Sequence, residues 1–150
     1  MKILSIPNEN GKMTCFWEEG ASSGKKPLII CLADKEEDAQ RDLNLLFSQA
    51  NGASVAALVV YPQTEEQIVG DWLYSLRQRE DVDENRITLT GTLSAADWVW
   101  RLGSHFPQWF AGICAVGGYG DPYEVRAMKN VPVRAYLVEE PQIIRKGKVA

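Results

Sequence analysis

The chain has 150 residues, 45% of them hydrophobic and 24% charged, which suits one hydrophobic core and one domain, 1–150. Its net charge of -4 and its scattered lysines and arginines give no basic surface, so we expect no nucleic acid and no anionic membrane as partner. The three cysteines have neither CxxC nor Cys/His spacing, so we expect reduced thiols and no metal site.

The N-terminal residues do not have the pattern of a secretory signal. Pro7, Asn8 and Glu9 interrupt the apolar residues 3–6, and no apolar run is long enough to cross a bilayer. We therefore expect a cytoplasmic protein. Residues 2–6 and 12–18 predict two strands around an Asn-Gly turn, which makes an N-terminal hairpin over residues 2–18.

Strand and helix patterns alternate along the rest of the chain. Strands are predicted at 27–32, 54–61, 87–90, 111–116 and 133–138. Helices are predicted from a capping box at residues 34–37 to Gln49, from a second capping box at residues 64–67, at 94–106, and briefly after Asp121. This alternation predicts an α/β fold, a three-layer sandwich in which helices cover both faces of a mostly parallel sheet.

Several short motifs follow one another between Val82 and Tyr136. They are Val-Asp-Glu-Asn-Arg-Ile with a strand ending in Thr-Gly, Trp100-Arg101, His105-Phe106-Pro107, Ala111-Gly112-Ile113-Cys114, Gly117 to Pro122, and Val131-Pro132-Val133. In order and spacing they resemble the α/β-hydrolases of the esterase, lysophospholipase and prolyl-oligopeptidase-like group. The resemblance implies an α/β-hydrolase-like core, here shortened at its C-terminal side.

The family places its nucleophile in a G-x-S-x-G turn, and the matching position here is Leu93. Leucine cannot attack a carbonyl. Ser94 is one residue later and is the remaining candidate nucleophile. Its simpler interpretation is a helix N-cap with Asp97 as its capping-box partner.

The other catalytic groups are also in question. His105 is the only histidine, and in a helix it would lie roughly 16 Å along the axis from Ser94, so we expect it to pack or to bind a carbonyl. The family's catalytic histidine follows a further strand and helix after the fifth strand, for which this sequence has no counterpart. Glu140, or Glu139, resembles the acid of the triad by location.

The loop that would form the oxyanion hole also differs from that of the family. Where such enzymes carry a His-Gly-Gly type loop, this sequence has Ala33-Asp34-Lys35-Glu36, whose carboxylates would repel an oxyanion. We therefore predict a catalytically inactive relative that needs no cofactor and binds a small molecule or a protein partner. The predicted binding residues are Asp34, Leu93, Ser94 and Tyr119, at the carboxyl ends of the strands.

Two alternatives stay open. The chain is a serine hydrolase acting on esters or peptides if Ser94 receives a histidine from another chain or from a further segment. It is an assembly domain without a ligand if no pocket lies beside residues 91–95. A homodimer is also predicted, because an uncovered strand edge near Val133 to Val138 invites completion by a second copy.

Overall fold

A computed structural model describes residues 2–8, 11–117 and 131–136. Its strands are β1 (Lys2–Asn8), β2 (Gly11–Glu18), β3 (Lys26–Ala33), β4 (Ser54–Val59), β5 (Val82–Thr92), β6 (Gly112–Val116) and β7 (Val133–Tyr136). Its helices are α1 (Glu36–Ser48), α2 (Glu66–Arg77) and α3 (Ser94–His105), with a 3₁₀ turn at Pro107–Trp109. Within these residues, no helix is long and apolar enough to cross a membrane.

The strands form one sheet in the order β1-β2-β4-β3-β5-β6-β7. β1 pairs with β2 and β2 with β4 in antiparallel fashion, whereas every pairing from β4 across to β7 is parallel. The predicted mostly parallel sheet and N-terminal hairpin are therefore confirmed. Because β3, β5, β6 and β7 run in the same direction, their carboxyl ends lie at one edge of the sheet.

Helices cover both faces of the sheet, as the alternating pattern predicts. On one face, Ala39 and Leu43 of α1 pack on Phe16, Cys31 and Val55. On the other face, α2 and α3 bury the larger core. It contains Trp17, Leu28, Ile30, Leu58, Trp72, Leu73, Leu76, Ile87, Leu89, Val99 and Leu102, among others. Burial of these side chains is the main source of stability for the layers.

Local hydrogen bonding differs from the sequence prediction at the helix starts. Neither Lys35, the N-cap of α1, nor Glu65, the N-cap of α2, has a side-chain cap. The Thr64 hydroxyl instead accepts a hydrogen bond from the Tyr61 N–H at 3.2 Å. The predicted capping boxes at residues 34–37 and 64–67 are therefore wrong in detail. Acidic side chains still occupy the first turns, where the positive end of the helix dipole favours them.

β5 begins five residues before the predicted strand at Ile87. Asp83 accounts for the polar start, because its carboxylate accepts hydrogen bonds from the Asn85 N–H at 3.0 Å and the Arg86 Nε at 2.7 Å. The pairing of β5 with β3 shifts register between Lys26 and Leu28. The polar stretch at the start of β5 is thus an irregular part of the strand.

Candidate active-site turn

The turn between β5 and α3 has the strained backbone of a nucleophile elbow. Leu93 stands alone between the two elements, with φ 55° and ψ -122°. Residues other than glycine seldom adopt a positive φ, because the side chain then clashes with the backbone. In α/β-hydrolases, a strained turn of this kind between a strand and a helix holds the nucleophile above the sheet. The Leu93 N–H donates a hydrogen bond to the Val116 carbonyl at 2.7 Å, which fixes the turn to β6. Its side chain is 54% exposed.

Small residues allow α3 to leave the strand this sharply. A Cβ on Gly91 would lie 2.9 Å from Val99 Cγ2 and 3.0 Å from the Ala95 carbonyl oxygen, so a glycine is needed there. Ala95 and Ala96 are fully buried against the sheet. The elbow geometry therefore survives in a turn that carries leucine at its tip.

Ser94 is the first residue of α3, and its predicted role as N-cap is wrong. The N-cap is Leu93, which has no side-chain cap, so the capping box with Asp97 does not form. Instead, the Ser94 hydroxyl donates a hydrogen bond to Asp34 Oδ2 at 2.8 Å. This bond joins the start of α3 to the loop between β3 and α1, across 60 residues of sequence.

The Asp34 carboxylate lies between the two segments that build an oxyanion hole in α/β-hydrolases. In those enzymes the N–H after the nucleophile and an N–H of the loop after the equivalent of β3 bind the oxyanion. Here Asp34 belongs to that loop, and Ser94 is the residue after the elbow tip. A carboxylate at this position would repel a developing negative charge.

The only histidine lies at the opposite end of α3 from the elbow. His105 is its last residue, and its Nδ1 is 2.8 Å from Glu66 Oε2 at the start of α2. The sequence did not predict this carboxylate contact, and the expectation that His105 packs at the corner or binds a carbonyl stays a prediction. The contact joins α2 to α3, far from Ser94.

Three residues of the predicted site cannot be placed. Tyr119, Glu139 and Glu140 lie outside the described residues, as do the short helix expected after Asp121 and the end of the predicted strand at Val138. Of the predicted site, the structure brings together Asp34, Leu93 and Ser94.

Two cavities flank the elbow. One, of about 100 Å³, lies beside α3 and is lined by Val60, Pro62, Ser94, Asp97, Trp98 and Arg101. The Arg101 guanidinium stacks on the Trp98 ring, 4.4 Å from its centroid. The other, of about 170 Å³, lies beside α1 and includes Thr90, Gly91 and Thr92. Sequence reasoning missed Trp98 and Arg101, because their spacing matches an ordinary helix.

The cysteines are free thiols, as expected from their spacing. Burial raises the pKa of Cys15 to about 12 and that of Cys31 also to about 12. Both are therefore protonated at neutral pH and are poor nucleophiles. No group of three potential metal ligands occurs in the part of the chain that the structure describes.

The overall fold of the chain is shared with solved hydrolases. A thermostable esterase superposes with a TM-score of 0.73 at 17% identity over 89% of this chain. The chain has the α/β-hydrolase fold. The 2,6-dihydroxy-pseudo-oxynicotine hydrolase gives a TM-score of 0.64 at 16% identity over 87% of the chain. These matches cover 45% and 42% of the two solved chains, so the α/β-hydrolase-fold chain spans less than half of either.

A protein from Klebsiella pneumoniae assigned as a dienelactone hydrolase is nearer in length. It gives a TM-score of 0.61 at 15% identity over 93% of this chain and 85% of its own. No family model matches the sequence, and no curated protein matches it either. At these identities the likeness establishes the fold alone.

Proposed function

We propose that this α/β-hydrolase-fold chain is a non-catalytic domain that binds a small molecule beside the elbow. The observation that supports this most is the combination of a retained elbow backbone and a side chain that cannot react. Leu93 keeps φ 55° and ψ -122°, which costs free energy that a plain strand-to-helix turn would not. A leucine at its tip offers apolar contact and no nucleophile.

Ser94 and Asp34 support the same proposal. In their 2.8 Å hydrogen bond, the serine hydroxyl donates its proton to the Asp34 carboxylate. The carboxylate also brings negative charge to the loop where α/β-hydrolases bind the oxyanion. Catalysis of acyl transfer needs the opposite arrangement, with a base that takes the proton and donors that stabilise the oxyanion. Binding of an intact ligand needs neither.

The cavity beside α3 is the site that we propose for the ligand. At about 100 Å³ it is well below the roughly 300 Å³ of a pocket for drug-sized molecules, so the ligand is small. Val60 and Pro62 supply an apolar wall, and Ser94, Asp97 and Arg101 supply polar groups. The cavity favours a binding domain over a domain that only assembles with other proteins.

Titration of the full chain with small fragments tests the binding role. Ethyl butyrate, butyrate and butylamine are suitable probes, with backbone amide shifts as the measurement. We expect saturable shifts at residues 60–62 and 93–101, and none at the hairpin. Replacing Trp98 by alanine should abolish them, whereas Trp109→Ala, in the 3₁₀ turn after α3 and next to Arg77 of α2, should not. Absence of saturable shifts with all three probes would count against a small-ligand site.

A second candidate, a serine hydrolase that uses Ser94, rests on the exposed position of that hydroxyl beside a carboxylate. It predicts covalent labelling of Ser94 by a fluorophosphonate and turnover of short-chain p-nitrophenyl esters. The non-catalytic proposal predicts neither. These two results separate the candidates whether or not a fragment binds.

A further inference from the structure

The Arg101 side chain lines the cavity beside α3 without a charged partner. Four other arginines, Arg41, Arg77, Arg79 and Arg86, each form an ion pair with a carboxylate. Within residues 2–8, 11–117 and 131–136, by contrast, Arg101 forms no ion pair and its guanidinium donates no hydrogen bond. Arginine has several N–H donors and no acceptor, so this wall of the cavity carries donors that no described residue accepts from.

The Trp98 ring holds the Arg101 guanidinium in place. The ring is 3% exposed, belongs to the larger core, and lies 4.4 Å from the guanidinium, centroid to Cζ. A guanidinium stacked in this way keeps the N–H groups at its edge free for two parallel hydrogen bonds to a carboxylate. The fold therefore restricts Arg101 before a ligand arrives, which lowers the entropy cost of binding one.

Acceptors occupy the same wall of the cavity. Asp97 lines it one helical turn before Arg101, and residues four apart are neighbours on a helix surface. A carboxylate accepts several hydrogen bonds, so Asp97 can bind an ammonium group besides its other contacts. Ser94 also lines the wall and donates its proton to Asp34, which leaves the hydroxyl oxygen as an acceptor. The wall thus offers binding groups for both signs of charge.

The segments that flank the cavity are acidic. Their charged residues are Asp34 and Lys35 after β3, Glu65 and Glu66 at the start of α2, and His105 at the end of α3. The first turn of α1 adds three more acids, one of which, Asp38, is paired with Arg41. Acids therefore outnumber bases around the cavity. This field disfavours a ligand with net negative charge, and Arg101 repels a simple cation.

The rest of the wall is apolar and limits the size of the ligand. Val60 is 1% exposed, and with Pro62 and Trp98 it can cover a methyl group. At ~30 Å³ per water molecule, the volume of about 100 Å³ corresponds to roughly three waters. A molecule about as large as alanine fits this space, whereas a long side chain does not.

We propose that the ligand of this cavity is a small α-amino acid bound as its zwitterion, which rests on the binding role proposed above. Its carboxylate binds the edge of the Arg101 guanidinium, and its ammonium group binds the Asp97 carboxylate. Its side chain contacts Trp98 and Val60. The zwitterion has no net charge, so the acidic surroundings do not oppose it. It also uses both charged groups of the wall at once, which a simple anion or cation cannot.

Three probes of similar size test this ligand class on the wild-type chain. Alanine carries both charges, propionate lacks the ammonium group, and ethylamine lacks the carboxylate. Backbone amide shifts of residues 60–62 and 93–101, recorded at constant ionic strength and pH 7, measure the binding. We expect alanine to bind with a dissociation constant in the millimolar range, and propionate and ethylamine each to bind roughly tenfold more weakly or worse.

Two variants assign the two ends of the ligand. Arg101→Gln should weaken alanine binding by roughly tenfold or more and leave alanine no better than ethylamine. Asp97→Asn should cause a similar loss and leave alanine no better than propionate. Arg41→Gln is the matched control, because it removes an exposed arginine of α1 on the other face of the sheet. This control should bind alanine as the wild type does.

The same titrations separate a wrong ligand class from a wrong binding role. If propionate or ethylamine binds at residues 60–62 and 93–101 as tightly as alanine, the small-molecule site stands and the zwitterion is overturned. Unchanged alanine affinity in both Arg101→Gln and Asp97→Asn overturns it as well. If neither these probes nor ethyl butyrate, butyrate and butylamine shift those residues, the binding role fails together with the ligand class.

Discussion

The Ser94 hydroxyl donates a hydrogen bond to the Asp34 carboxylate at 2.8 Å, where a hydrolase would direct its serine proton to a base. The bond connects the two loops that flank the tip of the elbow. It holds the start of α3 against the loop after β3 without the help of a side-chain N-cap. The elbow is therefore stabilised by a hydrogen bond between the two segments that flank its tip.

Removing the Ser94 hydroxyl should lower stability slightly. Ser94→Ala deletes a charge-assisted hydrogen bond at an exposed site, so we expect the free energy of unfolding to fall by roughly 0.5–1.5 kcal/mol. Urea denaturation measures this. Ser75→Ala is the control, because the Ser75 hydroxyl donates a hydrogen bond within its own helix, to the Asp71 carbonyl. An equal loss in both variants would mean that the Asp34 contact contributes nothing.

Relieving the strain at Leu93 should raise stability. Glycine adopts φ 55° and ψ -122° easily, and the leucine side chain is 54% exposed, so little burial is lost. We expect Leu93→Gly to stabilise by about 1 kcal/mol. Leu45 is 59% exposed but lies within α1, so Leu45→Gly should destabilise by about 1 kcal/mol. Opposite signs in the two thermal unfolding curves confirm the strain, and equal signs refute it.

Adding a methyl group beneath the elbow should disturb it. The Cβ of Gly91→Ala would meet Val99 at 2.9 Å and the Ala95 carbonyl at 3.0 Å, so we expect a loss of roughly 1–3 kcal/mol. Gly112→Ala in β6 is the matched control, because its nearest contact is an ordinary 3.4 Å to the Pro132 carbonyl. If both variants unfold at the same urea concentration, the close approach of α3 to β5 is not a constraint.

Stability should fall at alkaline pH. The pKa of Cys15 and that of Cys31 are raised from 9.0 to about 12 by burial. Between these values the unfolded chain loses thiol protons that the folded chain keeps. Stability is therefore fully present below pH 9 and declines as the pH rises toward 12, by at most about 1.4 kcal/mol per pH unit for each thiol.

Comparison with Cys31→Ala checks this assignment by urea denaturation at pH 8, 9 and 10. The variant should show a shallower decline than the wild type, whatever its absolute stability. Ser75→Ala, which removes a side chain that does not titrate in this range, should decline as steeply as the wild type. An unchanged slope in the Cys31 variant would show that other groups cause the alkaline loss.

Periodic patterns in the sequence predict the layers well. Trp72 and Leu76, four residues apart and so on one side of a helix, are both buried in α2, and the apolar runs around Ile30 and Ala57 are buried strands. Burial on both faces leaves a continuous apolar run, which is readable from one sequence. The position of Leu93 at the elbow tip also follows from the order of the motifs around it.

Contacts between distant residues could not be predicted in this way. Asp34 and Ser94 are 60 residues apart, and each has a plausible local role as a helix-start residue. The same holds for His105 and Glu66, 39 residues apart. The preference of a side chain for a local hydrogen bond is weak compared with its interaction with a tertiary partner. The sequence therefore suggests helix caps where the fold forms hydrogen bonds between distant segments.

Fluorophosphonate labelling tests the central claim, that the elbow carries no activated nucleophile, most directly. The full chain is incubated with the probe beside an active serine esterase and its own Ser94→Ala variant, and the intact masses are compared. We predict complete labelling of the esterase and no mass increase in the wild type or the variant. A stoichiometric adduct on Ser94 of the wild type, absent from the variant, would contradict the account.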